Sequence, residues 1–307
     1  MAGRGERRVT RSASRKARVT AAVATGPLGA LSHDELGVIF DGLADPLEPA
    51  VAVAFSSTCL GLRTPLRAAL EVLKERHARA VALSRKFEMS CAQLRVARVV
   101  ATVEHLTADD MATLGMILRT NGLPEMHLLL PGNGGFGDAG MQALCEGLCR
   151  GAAPSLDDLR LGANNFGLAG AEAFAAVLRR GALPKIHTLD LGDNPLGNQG
   201  LSALAELLRK MPALKMLHLN NCEIDDQGLA SLFANLGKDD FKILELLDLD
   251  SNELTVKSCR TLVSVINEGG LPALEDLFVF PDDNPASEEH AGQTAVFDAL
   301  SARAGRE

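Results

Sequence analysis

The chain has 307 residues, of which 47% are hydrophobic and 23% charged, and it carries a formal charge of −8 with neither Trp nor Tyr. This composition is too apolar for wholesale disorder, and the negative balance argues against a nucleic-acid or anionic-membrane binder. Without Trp or Tyr the chain also lacks the usual stacking platforms for bases.

The charge is unevenly placed. Residues 1–30 hold Arg4, Arg7, Arg8, Arg11, Arg15, Lys16 and Arg18 against Glu6, a charge of +6, which leaves −14 for the remainder. Three readings fit this basic segment: a disordered electrostatic arm, a nuclear-import patch or an organelle transit peptide. The run from Ala21 to Ala30 is interrupted by Gly26 and Pro27 and makes a poor signal-peptide core. No apolar run approaches the roughly 18 residues of a membrane-spanning helix. The cysteines Cys59, Cys91, Cys145, Cys149, Cys222 and Cys259 are scattered along a chain large enough to build a core. Reduced thiols in an intracellular compartment, cytoplasm or nucleus, are the expected state.

Residues 31–90 predict a small helical segment. Ser32 and Glu35 form a capping-box pair, and Leu36, Ile39, Phe40 and Leu43 follow at helical spacing. Asp45-Pro46 and Glu48-Pro49 break the chain, a second apolar run from Val51 to Phe55 leads to Cys59, and a third helix is predicted from Pro65 to about Lys86. The order of Leu31, cap, Glu-Leu, a short helix ending Ile-Phe-x-x-Leu, a Pro-containing turn and a helix near a Cys resembles an F-box over about 45 residues. The resemblance implies that Leu31, Leu36, Ile39, Phe40 and Leu43 contact a Skp-type adaptor of a cullin ubiquitin ligase. Two positions depart from it: Ser32 stands where Pro is usual, and Gly61-Leu62 where an aromatic often follows the Cys. The alternative is a helical cap that only seals the repeats behind it.

From residue 96 the chain repeats itself. Leu156, Leu159, Leu161 and Asn164 recur as Ile186, Leu189, Leu191 and Asn194, then as Leu214, Leu217, Leu219 and Cys222, then as Leu244, Leu247, Leu249 and Asn252. Leu274, Leu277 and Val279 begin a further unit, while Met126 with Leu129 and Val96 with Val99 and Ala101 mark two worn units, for about seven in all. The Leu-x-Leu alternation predicts a short strand with one buried face, and the Asn predicts an inward amide that satisfies the turning backbone. A helix follows each turn, as in Gly200, Leu201, Leu204 and Leu208. A single unit cannot bury its own apolar face, so neighbours must stack. These residues resemble the leucine-rich repeat family, in particular its long, helix-bearing ribonuclease-inhibitor-like subtype, over about two thirds of the chain. The resemblance implies an α/β solenoid, a horseshoe with parallel strands on the concave face and helices on the convex face. The expected organisation is a basic tail over 1–30, a helical F-box-like or capping domain over 31–90, repeats over 91–302 and a short tail from 303.

The residues flanking each buried leucine should point out of the concave face. In unit order these are Arg98 and Val100; Leu128 and Leu130; Asp158 and Arg160; Thr188, Asp190 and Asp193; Met216, His218, Asn220 and Asn221; Leu246, Asp248 and Asp250; Asp276, Phe278 and Phe280. Six carboxylates against Arg160 and His218 predict an acidic middle and C-terminal floor with apolar anchors, suited to a protein partner with a basic surface. The alternative is a solvated acidic face with no partner.

Other constellations are weak. Cys145 and Cys149 lie four apart on a predicted helix face without a third metal ligand, and His127, His187 and His218 are not in one repeat register. The run Gly132-Asn133-Gly134-Gly135 lacks the Gly-Lys-Ser/Thr ending of a phosphate loop. No nucleophile–base set can be assembled. The reading is therefore a non-enzymatic interaction protein with no cofactor, metal, nucleic acid or membrane partner. Its alternatives are a structural scaffold without a ligase role, and a GTPase regulator, because Ran GTPase-activating proteins use the same repeat subtype. Arg160 is the floor arginine such a role would need; the acidic tail of those proteins is not matched by the closing Ala-Arg-Ala-Gly-Arg-Glu.

Overall fold

The computed structural model describes residues 31–57, 62, 64, 66–101, 105–120, 122–130, 135–279 and 290–304. The basic segment 1–30, Cys59, Gly132 to Gly134 and Phe280 to Asn284 lie outside the described residues, as do the side chains of Leu130 and His33. The chain divides into two compact units, Met1–Val81 and Ala82–Glu307.

The first unit contains α1 (His33–Leu43), α2 (Ala50–Ser57) and most of α3 (Arg67–Lys86). Helix α1 starts at the expected capping box: Glu35 N donates to Ser32 Oγ at 3.2 Å, and Ser32 N donates to Glu35 Oε2 at 2.7 Å. Its apolar stripe closes on the other helices, so that Leu36, Phe40, Ala44, Ala52, Leu62, Leu66 and Leu73 form one buried cluster.

The second unit continues through α4 (Cys91–Arg95) into an alternation of strand and helix: β1 (Val99–Ala101), α5 (Ala108–Thr120), β2 (Leu128–Leu130), α6 (Gly137–Gly147), β3 (Asp158–Arg160), α7 (Leu168–Arg179), β4 (Thr188–Asp190), α8 (Gly197–Arg209), β5 (Met216–His218), α9 (Asp226–Phe233), β6 (Leu246–Asp248), α10 (Val256–Asn267), β7 (Asp276–Phe278) and α11 (His290–Ala304). The seven strands form one parallel sheet in chain order. Parallel neighbours need a crossover, and here each crossover is the helix of the same repeat. The middle residue of every strand is buried, from Val100 and Leu129 to Leu277. Helical leucines such as Leu144, Leu204, Leu232 and Leu262 complete the core. Among the described residues no helix is long and apolar enough to cross a membrane.

One expectation is corrected at the first strand. Val100, expected on the outward face, pairs in register with Leu129 and is fully buried, while Val99 is exposed. The step from the first unit to the second is 29 residues, not 30, and a shift of one residue in a strand exchanges its two faces.

The recurrent Asn turns inward as expected. Asn194 is fully buried; its Oδ1 accepts from Asn164 N at 3.0 Å and Phe166 N at 3.3 Å, and its Nδ2 donates to the carbonyls of Leu161, Leu191 and Gly192. Asn252 repeats this toward Cys222 N and Ile224 N. Cys222 has only a thiol to offer, which donates to the carbonyls of Leu191 at 3.3 Å and Asn220 at 3.4 Å.

A second ladder runs along the helix starts. Asp138 Oδ1 accepts from Gly167 N and Gly170 N, at the N-terminus of α7 in the next repeat. Asn198 Oδ1 accepts from Asp225 N before α9, and Asp226 accepts from Thr255 N, Thr255 Oγ1 and Ser258 Oγ at the start of α10. Each of these side chains satisfies helix-start donors of its neighbour, so the repeats are joined by capping bonds as well as by the sheet.

Candidate functional site

The strand register sorts the exposed face of the sheet into two lateral rows. Asp158, Thr188, Met216, Leu246 and Asp276 form one, and Arg160, Asp190, His218, Asp248 and Phe278 form the other. Neighbours within a row sit about 4.8 Å apart, the spacing of hydrogen-bonded strands. The first row is partly apolar and the second mostly charged. Thr188 departs from expectation: it flanks the β4 leucine yet is only 6% exposed. The turn after each strand adds Asp193, Asn220, Asn221 and Asp250, of which Asp193 and Asn221 are exposed.

The charged row is internally connected. Arg160 holds Asp158 through two bonds, Nε to Oδ1 at 3.0 Å and Nη2 to Oδ2 at 2.9 Å, so its guanidinium is engaged on its own strand. His218 Nδ1 lies 3.4 Å from Asp248 Oδ2. Asp190 Oδ1 accepts from Gly192 N at 2.9 Å, and Asn221 Nδ2 donates to Asp193 Oδ1 at 3.0 Å. Asp190 lies across Gly162, where a Cβ would come within 3.1 Å of its carboxylate, and Asn220 lies across Gly192 in the same way. The two glycines thus leave the room in which these polar side chains lie flat on the sheet.

Two groups on this row titrate away from their ordinary values. Burial raises the Asp190 carboxyl above the usual 3.8, against the opposing pull of the Gly192 amide, His218 and Arg160. The Asp248 hydrogen bond raises the His218 imidazole above 6.5 despite partial burial, with Asp190 adding to the effect and Arg160 opposing it.

At the C-terminal edge, Phe278 is 46% exposed and Asp276 is exposed. A cavity of about 620 Å³ lies behind that strand, lined by Leu274, Phe278, Phe297, Leu300 and Arg303 among others.

The adaptor-contact expectation needs correction in part. Leu36 and Phe40 are 4% and 1% exposed and belong to the core of the first unit, with Leu31 and Leu43 packed against them. They face inward because one stripe of a short amphipathic helix must close on its neighbours. Ile39 is 37% exposed, and on the first two helices Val38, Val51 and Val53 are exposed as well. The sequence reasoning missed these valines. For Val38 the signal was available in the helical wheel, since position 38 lies opposite the stripe set by 36, 40 and 43, whereas Ile39 sits at the edge of that stripe.

The cysteine pair is also corrected. Helix α6 ends at Gly147, so Cys149 lies beyond it and is exposed, while Cys145 is buried. Burial pushes the Cys145 thiol up to about 12, which leaves it a protonated core group. His127 Nδ1 meets Asp157 at 3.1 Å on the neighbouring repeat, apart from His218. No group of three or more His, Cys, Asp or Glu suited to a metal ion occurs among the described residues.

A leucine-rich repeat family model matches residues 182–205 and 210–233, which contain β4, most of α8, β5 and α9. Among solved structures the chain is similar to the crystal structure of the Rad7 and Elc1 complex in yeast, at 13% identity and a TM-score of 0.37, over 93% of this chain and 68% of that one. Comparison with curated proteins gives no match.

Proposed function

We propose that this chain is a protein-interaction module that works by binding and not by catalysis, and that a partner with a basic surface occupies the open face of its sheet. Its repeats are read as the ribonuclease-inhibitor-like, helix-bearing subtype, which the strand spacing of 28 to 30 residues supports. The observation that carries the proposal is the register itself. It aligns Asp190, His218 and Asp248 in one row beside Met216 and Leu246 in the next, so that carboxylates and apolar anchors are presented side by side. Such a mixture suits an interface with an apolar centre and a charged surround. Asp158, Arg160, Asp193, Asn220, Asp250, Asp276 and Phe278 extend the surface.

The test is a quantitative pull-down with the full chain and a charge-reversed form carrying Asp190→Lys and Asp248→Lys. Basic partners retained by the native chain should be lost from the variant. An unchanged set of captured proteins would sink the acidic-face reading.

A second role is proposed for the first helical unit, that of docking a Skp-type adaptor in the manner of an F-box. Its support is that apolar side chains stand exposed on both helices, Val38 and Ile39 on α1 and Val51 and Val53 on α2. A chain engaged at both places would raise the effective concentration of its partner near a ubiquitin ligase. Co-purification with a Skp-type adaptor, compared between the native chain and Val38→Asp/Ile39→Asp, is the discriminating measurement. Absence of the adaptor from both would leave a scaffold without a ligase role.

A further inference from the structure

We propose that His218 is a proton-operated control on the open face: protonating its imidazole between Asp190 and Asp248 withdraws the negative charge that holds a basic partner. The inference rests on the basic-partner reading above and adds a regulation of the same site.

The geometry has three parts. His218 is on β5, and its register neighbours are Asp190 on β4 and Asp248 on β6, so a carboxylate stands on each side. Its Nδ1 is 3.4 Å from Asp248 Oδ2, close enough for a proton on that nitrogen to be shared with the carboxylate. The imidazole remains 29% exposed, so it exchanges protons with solvent and also lies where a ligand would sit.

The surrounding charges favour the protonated form. Asp190 and Asp248 both stabilise the imidazolium; partial burial opposes it, and so does Arg160 on β3, two strands away. Arg160 is itself paired to Asp158, which blunts its repulsion. Asp193 and Asp250, on the turns after β4 and β6, add further negative charge to this part of the face. No lysine stands in the charged row. The imidazole therefore gains its proton above the ordinary 6.5, within the range in which aspartates stay ionised.

The sign follows from linkage. A basic ligand on Asp190 and Asp248 disfavours the imidazolium, so binding expels the proton, and protonation weakens binding to the same extent. Capture should strengthen as pH rises through the His218 transition and weaken as pH falls through it.

The test has two arms on the full chain. In the first, the His218 imidazole is titrated by NMR. A midpoint above 6.5 that drops in Asp248→Asn and in Asp190→Asn supports the proposal; a midpoint at or below 6.5, or one indifferent to both substitutions, overturns it. In the second, the affinity of an octa-arginine peptide is measured from pH 6 to pH 8.5. Binding should rise about fivefold across the transition, the size expected for one surface charge pair. That rise should vanish in His218→Gln. A rise that persists in His218→Gln overturns the proposal alone. Failure of the peptide to bind at any pH overturns the basic-partner reading and takes the proposal with it.

Discussion

The side-chain oxygen of Asn194 lies 3.0 Å from the backbone nitrogen of Asn164, thirty residues earlier in the chain. The same carboxamide donates to carbonyls of both repeats, so one buried side chain stitches two turns of backbone together. Its removal would strand several buried polar groups, each costing about 1–3 kcal/mol. Asn194→Ala should therefore lower stability by about 3 kcal/mol or more, read as a denaturant midpoint. At the corresponding slot Cys222 supplies only weak thiol bonds. Cys222→Asn should raise stability by about 1 kcal/mol, one net buried hydrogen bond.

Helices α5 and α6 approach through Gly115 and Gly147. A Cβ on Gly115 would strike the carbonyl oxygen of Ala143, and one on Gly147 would strike the backbone of Gly115. Backbone cannot move aside as a flexible side chain does. Gly115→Ala should destabilise by about 1–3 kcal/mol despite the better helix propensity of Ala, and thermal unfolding reads the loss.

Asp226 caps the helix of the repeat that follows its own. Burial works against its ionisation, but hydrogen bonds from Ser258 and Thr255 outweigh this and hold its carboxyl below the ordinary 3.8. A lowered carboxyl contributes stability that is complete above the unfolded value and is lost as pH falls through the folded one. Asp226→Asn should therefore cost stability at pH 7, and the difference from the native chain should shrink as pH falls below 3.8. Acid titration of both by circular dichroism checks this.

The first unit separates its core from its surface within one helix. Leu36→Ala and Phe40→Ala should cost about 2–5 kcal/mol each, as deletions of fully packed side chains do. Ile39→Asp should leave the fold within about 1 kcal/mol of native. Only the surface substitution is a clean probe of adaptor binding, because the inward pair would lose binding through unfolding.

Much of the repeat unit could be read from the residues. The spacing of Leu159, Leu189, Leu217 and Leu247 placed four strands, and the recurring Asn placed the turns, because each unit must satisfy the same local geometry. The phase of β1 is ambiguous in the sequence because Val99, Val100 and Ala101 offer apolar residues at both alternations, and only pairing with Leu129 selects Val100 as the inward one. The caps supplied by Asp138, Asn198 and Asp226 reach across repeats and are visible only in the fold. Their partners lie about thirty residues on, and nothing in a single unit announces a bond to the next.

The sequence by itself determined the alternation of strand and helix, the inward leucines and the asymmetry between a +6 tail and a −14 body. These follow from periodicity and composition, which act along the chain. Only the tertiary structure decided which side chains meet across it: that Asp190 and Asp248 flank His218, that Arg160 is held by Asp158, and that Leu36 and Phe40 are core while Ile39 is surface. Those relations depend on lateral register and on the direction in which a helix closes, and both are set by packing between elements distant in sequence.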